Sequence, residues 1–409
     1  MSNIQPPTAP PSQQAPPGEP APASIVARIP ARLAGALRQL VLPLLAIVTA
    51  LILGAFVIIF SDPEFFGRIG SDPGAALGAG LGSVGAAYTG LLSGSLGSPN
   101  AISETLLRAT PLILAGLAVA LGFRAGLFNI GAEGQIYIGG LCATAVGISF
   151  EGLPFFVHLP LAILAGFVGG ALWGFVPGIL KARTGAHEVI TTIMLNYVSY
   201  LTIDFALRQP LFQRPDREDP VSRFILDSAT LPRLFGGDLR VHWGLIIALA
   251  AAFVVSWLLF RTTRGFEFRA VGLNPSAARY AGMSIGRTIV LTMMISGGLA
   301  GLAGASEIVG TNGRLTPGFS PGWGFDAIAL ALLGGSRPLG VVGAALVFGA
   351  LRAGATPMQA ATGIPIDLVV VIQALVIMFI AAPALVRGIY RIKASRVRGP
   401  EISIKGWGG

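Results

Sequence analysis

The stretch LVLPLLAIVTALILGAFVIIF, residues 40–60, runs 21 residues without one ionisable side chain. A helix needs about 20 apolar residues to cross roughly 30 Å of hydrocarbon, and a soluble core helix would keep a polar face that this one lacks. Working outward, similar runs recur at 103–122, 125–148, 158–180, 187–206, 242–260, 287–308, 323–335, 339–355 and 367–386. The pattern predicts an all-α, polytopic transmembrane helical bundle of about ten crossings. The eighth run is too short to span alone and is bracketed by Gly322, Gly324, Gly334 and Gly335, so a broken or re-entrant segment fits it as well as a full crossing. Residues 71–97, rich in Gly, Ala and Ser, read as short helices lying at the outer face or dipping into it.

Composition agrees. Of 409 residues, 53% are hydrophobic and only 11% charged, against about a quarter charged in soluble domains; mean hydropathy is +0.73. The net charge of +9 does not point to nucleic acid, because the basic residues sit in connectors between apolar runs, where they set topology. Membrane lipid is the implied surrounding. The one cysteine, Cys142, excludes an intrachain disulfide and a multi-cysteine metal site. Residues 1–30 read as a disordered Pro-rich cytoplasmic tail, 31–390 as the transmembrane domain and 391–409 as a basic cytoplasmic tail. The first apolar run follows Arg28, Arg32 and Arg38 and is too long for a signal peptide, so it reads as a retained helix.

An even number of crossings puts both termini on one side. About 18 of the 28 Lys and Arg residues fall there, among them Lys181, Lys393, Lys405, Arg124, Arg261 and Arg269, which marks that side as cytoplasmic. Six of the ten exceptions lie in the connector from Leu207 to Val241, interleaved with Asp216, Glu218, Asp219, Asp227 and Asp238. That mixture suits an outward loop that docks a protein.

No lysine sits in a phosphate-binding P-loop pattern, so the chain does not hydrolyse ATP by that route. His158, His187 and His242 are too scattered for metal ligation. No metal site, and no catalytic residue, is assigned. Inside the apolar runs, Asn129, Glu133 and Tyr137 recur at steps of four, which places neighbours on one helix face. Glu133 lies about nine residues beyond Arg124, roughly 13 Å along a helix, where an unpaired carboxylate is expensive. It serves either as a clamp between helices or as part of a solute route. A second polar track follows at Glu188, Thr192, Asn196, Tyr200 and Asp204. It fits a helix lining an aqueous route; the plainer readings are Thr191 and Thr192 bonding their own backbone and Glu188 pairing with Lys181 or Arg183. Gly297, Gly301 and Ala305 form a close-packing face. Asn312 and Asp326 read as helix caps ahead of solute contacts.

Between the sixth and seventh runs, Asn274 caps and Pro275 opens a short helix that Gly282 ends. Such a stub reads either as a lever for a motor subunit or as an ordinary turn. Here the sequence resembles a known family. RAVGLNPSAARYAGM (269–283), GLFNIGAEGQ (126–135) and HEVITTIMLNY (187–197) together are similar to the permeases of bacterial ABC importers for simple sugars and branched-chain amino acids, nearest the nucleoside permeases that work with a basic-membrane-protein-type lipoprotein. The similarity runs over about residues 100–390.

That resemblance implies a transport subunit for nucleosides or related simple sugars, itself not an enzyme, in the bacterial cytoplasmic (inner) membrane. It implies a second homologous permease, cytoplasmic ATP-binding proteins that hold the only ATP, and an extracytoplasmic substrate-binding lipoprotein. Asn274, Pro275, Ala277, Ala278, Arg279, Tyr280, Gly282 and Met283 would couple to the ATPase. Asn129, Glu133, Tyr137, Glu188, Thr192, Asn196 and Tyr200 are the expected solute-pathway residues. The chief rival is an ion-coupled secondary carrier using Glu133, Asp204, Glu307 or Asp367.

Overall fold

The computed structural model describes residues 25–391 except 216, 217 and 364. Residues 1–24 and 392–409, which hold most of the two expected tails, lie outside the described residues. The chain folds into helices α1 (Ile25–Ser61), α2 (Pro63–Ile69), α3 (Pro73–Leu96), α4 (Pro99–Arg124), α5 (Ala132–Ser149), α6 (Phe155–Thr184), α7 (Glu188–Leu207), α8 (Gly244–Arg261), α9 (Thr263–Leu273), α10 (Pro275–Tyr280), α11 (Ile285–Glu307), α12 (Trp323–Leu333), α13 (Pro338–Thr362), α14 (Asp367–Ala381) and α15 (Pro383–Ile389). A π-helical turn, Ile308–Asn312, extends α11. Extended structure among the described residues amounts to two isolated bridges in the 208–243 connector.

Local chemistry explains where helices begin. Asp72, Ser98 and Asn274 each stand before a proline at the first helical position, and each side chain accepts a backbone N–H three residues on, satisfying a donor the helix leaves free. Among the described residues eight helices are long and apolar enough to cross a membrane: α1, α3, α4, α6, α7, α8, α11 with its π turn, and α13. The shorter α12 and α14, and α5 with its polar first turns, complete the bundle. Nine of the ten apolar runs match one helix each, the third only from Ala132 on, and the tenth is broken at Ala382 between α14 and α15.

Two expectations need correction. Residues 71–97 are no set of short surface helices. Pro73–Leu96 is one 24-residue helix whose small residues press on α13: a Cβ on Gly94 would stand 2.4 Å from the Pro357 ring, and one on Gly354 would stand 2.2 Å from the Leu91 carbonyl. Composition hid it, because Gly and Ala read as weak span formers although they let backbones touch. The second correction is α9. It begins where the Thr262 hydroxyl accepts from the Gly265 N–H, inside what the apolar pattern treats as a plain connector.

The bundle is organised around α4, whose residues Ala109 to Gly122 are all buried, with α8, α11, α12 and α13 packed against it. Beside it α5, α6 and α11 meet backbone to backbone. A Cβ on Gly170 would lie 2.2 Å from the Gly297 carbonyl oxygen, one on Gly301 2.2 Å from that of Gly166, and one on Gly139 2.3 Å from the Gly301 Cα. Apolar lipid supplies no hydrophobic force between helices, so this close van der Waals approach carries their association.

The two ends of the bundle differ. At one, Arg124 donates to the carbonyls of Gly335 and Ser336, its guanidinium and that of Arg269 both lie over the Phe260 ring, and α9, α10 and the start of α11 gather. Of the residues assigned above to the Lys- and Arg-rich side, the described ones, Lys181, Arg124, Arg261 and Arg269, collect there. At the other end, the 208–243 connector is tied down: Leu226, Ile225 and Leu231 donate their N–H groups to the carbonyls of Gly147, Gly313 and Val309, and Arg240 pairs with Glu104 at 3.0 Å. His242 is buried there, its Nδ1 accepting from the Gly244 N–H.

Gly301→Val is expected to destabilise the protein by at least the ~1–3 kcal/mol typical of overpacking, because rigid backbone and not a flexible side chain fills the space. Gly343→Ala, where nothing lies within 4 Å, is expected to leave the thermal midpoint of the detergent-solubilised protein unchanged. Equal midpoints for both variants would contradict this packing.

Candidate functional site

The broken eighth run and the buried carboxylate of the third meet. Chain direction brings this about: α5 starts inside the bundle and runs toward the 208–243 connector, while α12 starts inside and runs toward the Arg124 end. Their first turns abut so closely that a Cβ on Gly324 would stand 2.1 Å from the Glu133 nitrogen. Gly324 donates its N–H to Glu133 Oε2 at 2.6 Å. Glu133, 1% exposed, therefore caps a helix 191 residues away, where α12 has no cap of its own.

Helix α5 begins at Ala132 and not near 125, so Asn129 does not share its stripe. The chain from Ala125 to Gly131 is irregular because Gly126, at φ +70° and tight against Gly272, takes a left-handed turn. Asn129 instead donates through Nδ2 to Gln135 Oε1 and Ser296 Oγ, both at 2.9 Å, and Ser296 donates on to the Ala118 carbonyl. Its Oδ1 accepts from the Gly131 N–H. Asn196 of α7 bridges the same break, donating to the Ile130 carbonyl at 3.0 Å and accepting from the Gly134 N–H at 2.8 Å. These bonds satisfy backbone groups that a broken helix leaves free inside a bundle.

Above Glu133 three rings gather. Tyr137 lies 4.8 Å from Tyr200 and 4.9 Å from Phe319 between centroids, at interplanar angles of 70° and 49°, and its hydroxyl reaches the Ser320 carbonyl at 3.4 Å. Among the expected residues, Asn129, Glu133, Tyr137, Asn196 and Tyr200 are thus brought together. Thr192 lies beside them, with its methyl end against Gly131, but its hydroxyl donates to the Glu188 carbonyl, the plainer reading. Glu188 stands apart at the Arg124 end, paired with Lys181 at 2.5 Å.

Neither expected cap is one. Asp326 forms an ion pair with Arg352 of α13, and Asn312 closes the π turn. Sequence reasoning also passed over Phe319, Ser320 and Arg352. The signal was present in the Gly318-to-Gly324 segment GFSPGWG, whose glycines at 318 and 322 adopt positive φ. Asp204, a proposed coupling carboxylate, is exposed and pairs with Arg208 one turn on.

The connector helix α10 stands at the end of the bundle on α9. The Asn274 Oδ1 accepts from the Ala277 N–H at 3.0 Å, and Gly282 ends the helix at φ +81°, as the sequence predicts. Its two faces differ. Ala278 is 3% exposed and anchors the stub, whereas Tyr280 is 95% and the neighbouring Leu273 78% exposed. A cavity of about 360 Å³ opens beside it, walled by Arg264, Phe266, Glu267, Gly282 and Arg287.

Comparison with known proteins agrees with this architecture. The family described as the permease component of branched-chain amino acid transport systems matches residues 101–381. The chain belongs to that family. It is 40% identical to the guanosine ABC transporter permease protein NupP of Bacillus subtilis over 86% of this chain and 95% of that one. It is 41% identical to the glucose ABC transporter permease protein TsgB13 of Haloferax volcanii over 72% and 79% of the two chains. A second guanosine permease of the same Bacillus strain, NupQ, is 29% identical over 61% of this chain and 79% of its own. No solved structure matches the chain. The permease is a multi-pass membrane transport component, and its relatives include two guanosine permease proteins of one Bacillus subtilis strain.

Removing the Glu133 carboxylate leaves the Gly324 N–H buried without its acceptor, a loss of about 1–3 kcal/mol. Glu133→Ala is expected to lower the thermal midpoint clearly and Glu133→Gln, whose carbonyl can still accept, to lower it less. Identical midpoints for the two would contradict the cap.

Proposed function

We propose that this permease is the transmembrane subunit of an ABC importer that carries nucleosides or related ribosyl solutes across the bacterial cytoplasmic membrane. It pairs with a second homologous permease, is driven by cytoplasmic ATP-binding proteins, and receives solute from an extracytoplasmic binding lipoprotein. The observation that carries this reading is the stub α10, projecting from the Lys- and Arg-rich end with Tyr280 almost wholly exposed. An isolated tyrosine held out on a rigid, capped helix has no role within this chain and suits a socket on a partner. The sidedness of basic residues supports placing that end in the cytoplasm. Similarity to a guanosine permease over nearly its full length supports the solute class, and the lack of a P-loop supports ATP binding by a separate subunit.

Mechanism follows from attachment at one point. Closure of the ATP-binding subunits displaces α10; α9 and α11, which pack against it, transmit the movement; and the backbone-tight α5–α6–α11 layer shifts as a unit, exchanging outward and inward access. Two of the four carboxylates named for the ion-coupled rival are engaged elsewhere. Glu133 is committed to the start of α12, and Asp204 to a surface pair with Arg208.

The test is Tyr280→Asp in the assembled importer. Losing a central aromatic contact costs about 2 kcal/mol or more, so retention of the ATPase subunit is expected to fall more than about tenfold, with ATP-driven guanosine uptake lost and the permease still in the membrane. Normal retention and uptake would overturn the lever. Uptake of glucose but not guanosine by the unmodified importer would overturn the solute class alone.

A further inference from the structure

We infer that the rings of Tyr137, Tyr200 and Phe319, with the Glu133 carboxylate and the Ser320 hydroxyl beneath them, form the point at which the bundle contacts the flat heteroaromatic ring of its solute. This deepens the nucleoside reading above and rests on it. It adds Phe319 and Ser320, which the pattern of polar residues along α5 and α7 does not reach.

Four observations converge. The cluster lies where α5 and α12 meet inside the bundle, between its two ends, so a solute moving along these helices passes it. The rings meet edge-on or tilted, at 70° and 49°, and none is stacked face to face on another. Tyr200 is half-buried whereas Tyr137 and Phe319 are buried, so Tyr200 is the most accessible of the three rings. Finally, polar groups border the rings where α12 begins: Glu133, to which the Gly324 N–H is bonded, and Ser320, whose hydroxyl accepts from the Trp323 N–H at 3.3 Å.

A surface of ring faces with one polar edge suits a planar base and its N–H edge better than a free sugar. A sugar presents hydroxyls all round and would leave them unpaired in this apolar setting. Stacking on ring faces is also tolerant of which base is present. Few directional bonds allow release as readily as entry, which a passage requires.

The experiment uses the assembled importer in proteoliposomes with Cys142→Ala, so that no native thiol remains in this chain, carries Phe319→Cys or, separately, Tyr200→Cys, and reads labelling on the separated permease band. A membrane-permeant maleimide labels the introduced thiol with guanosine, with cytidine, or with ribose present. Suppression of labelling by both nucleosides, and none by ribose at the same concentration, is the expected result at both positions. Labelling unaffected by nucleosides at both positions, in an importer whose Cys142→Ala parent takes up guanosine, would overturn this inference and leave the function standing. Equal suppression by ribose would overturn the assignment of the rings to a base. A parent that takes up no nucleoside would overturn the functional reading and this one with it.

Discussion

A helix that starts within a bilayer leaves its first N–H groups without water to bond, and the structure has to supply an acceptor. In this protein Glu133 does so for α12, and much else follows from that contact. It fixes where α5 and α12 meet, draws the GFSPGWG segment down beside α5, and sets Tyr137 against Phe319. It also explains why a carboxylate sits deep in an apolar run. Asn129 and Asn196 do similar work on the irregular chain before α5, so the break in the third run and the short eighth run are two sides of one arrangement.

Around this centre the bundle is held by closeness and not by hydrophobic burial. Glycines on α5, α6 and α11 bring carbonyl oxygens and Cα atoms into direct contact, and α3 grips α13 in the same way through Gly90, Gly94 and Gly354. Surfaces so closely matched move as units. Under the proposed coupling, a push on α9 and α10 would reach the Glu133 region through α11 without bending any one helix.

Much of this is legible in the sequence. The apolar runs locate ten helices, and the Asn274-Pro275 start and Gly282 stop fix α10 closely. Basic residues sort the two ends of the bundle. What escapes is whatever depends on a distant partner. Asp72-Pro73 carries the same start signal as Asn274-Pro275, yet the Gly- and Ala-rich helix it opens gains its place only from contact with α13. Asn129 looks like a member of the Glu133 stripe until Gly126 turns the chain. Glu133 is marked as costly by its depth, but nothing local says that its partner is the Gly324 N–H, because the spacing of 191 residues has no periodic signature. Ala278 and Tyr280 are equally plausible contacts by sequence, and only burial separates the anchor from the exposed tip.

The central claim is that this chain is a gate without an engine. The most direct measurement is solute accumulation in proteoliposomes holding the purified chain alone, under an imposed proton or sodium gradient, compared with vesicles holding the second permease, the ATP-binding subunits and the binding protein with ATP inside the ATPase-facing compartment. The account predicts accumulation only in the complete, ATP-supplied vesicles. Concentration of guanosine by the chain alone, driven by an ion gradient and indifferent to ATP, would contradict it.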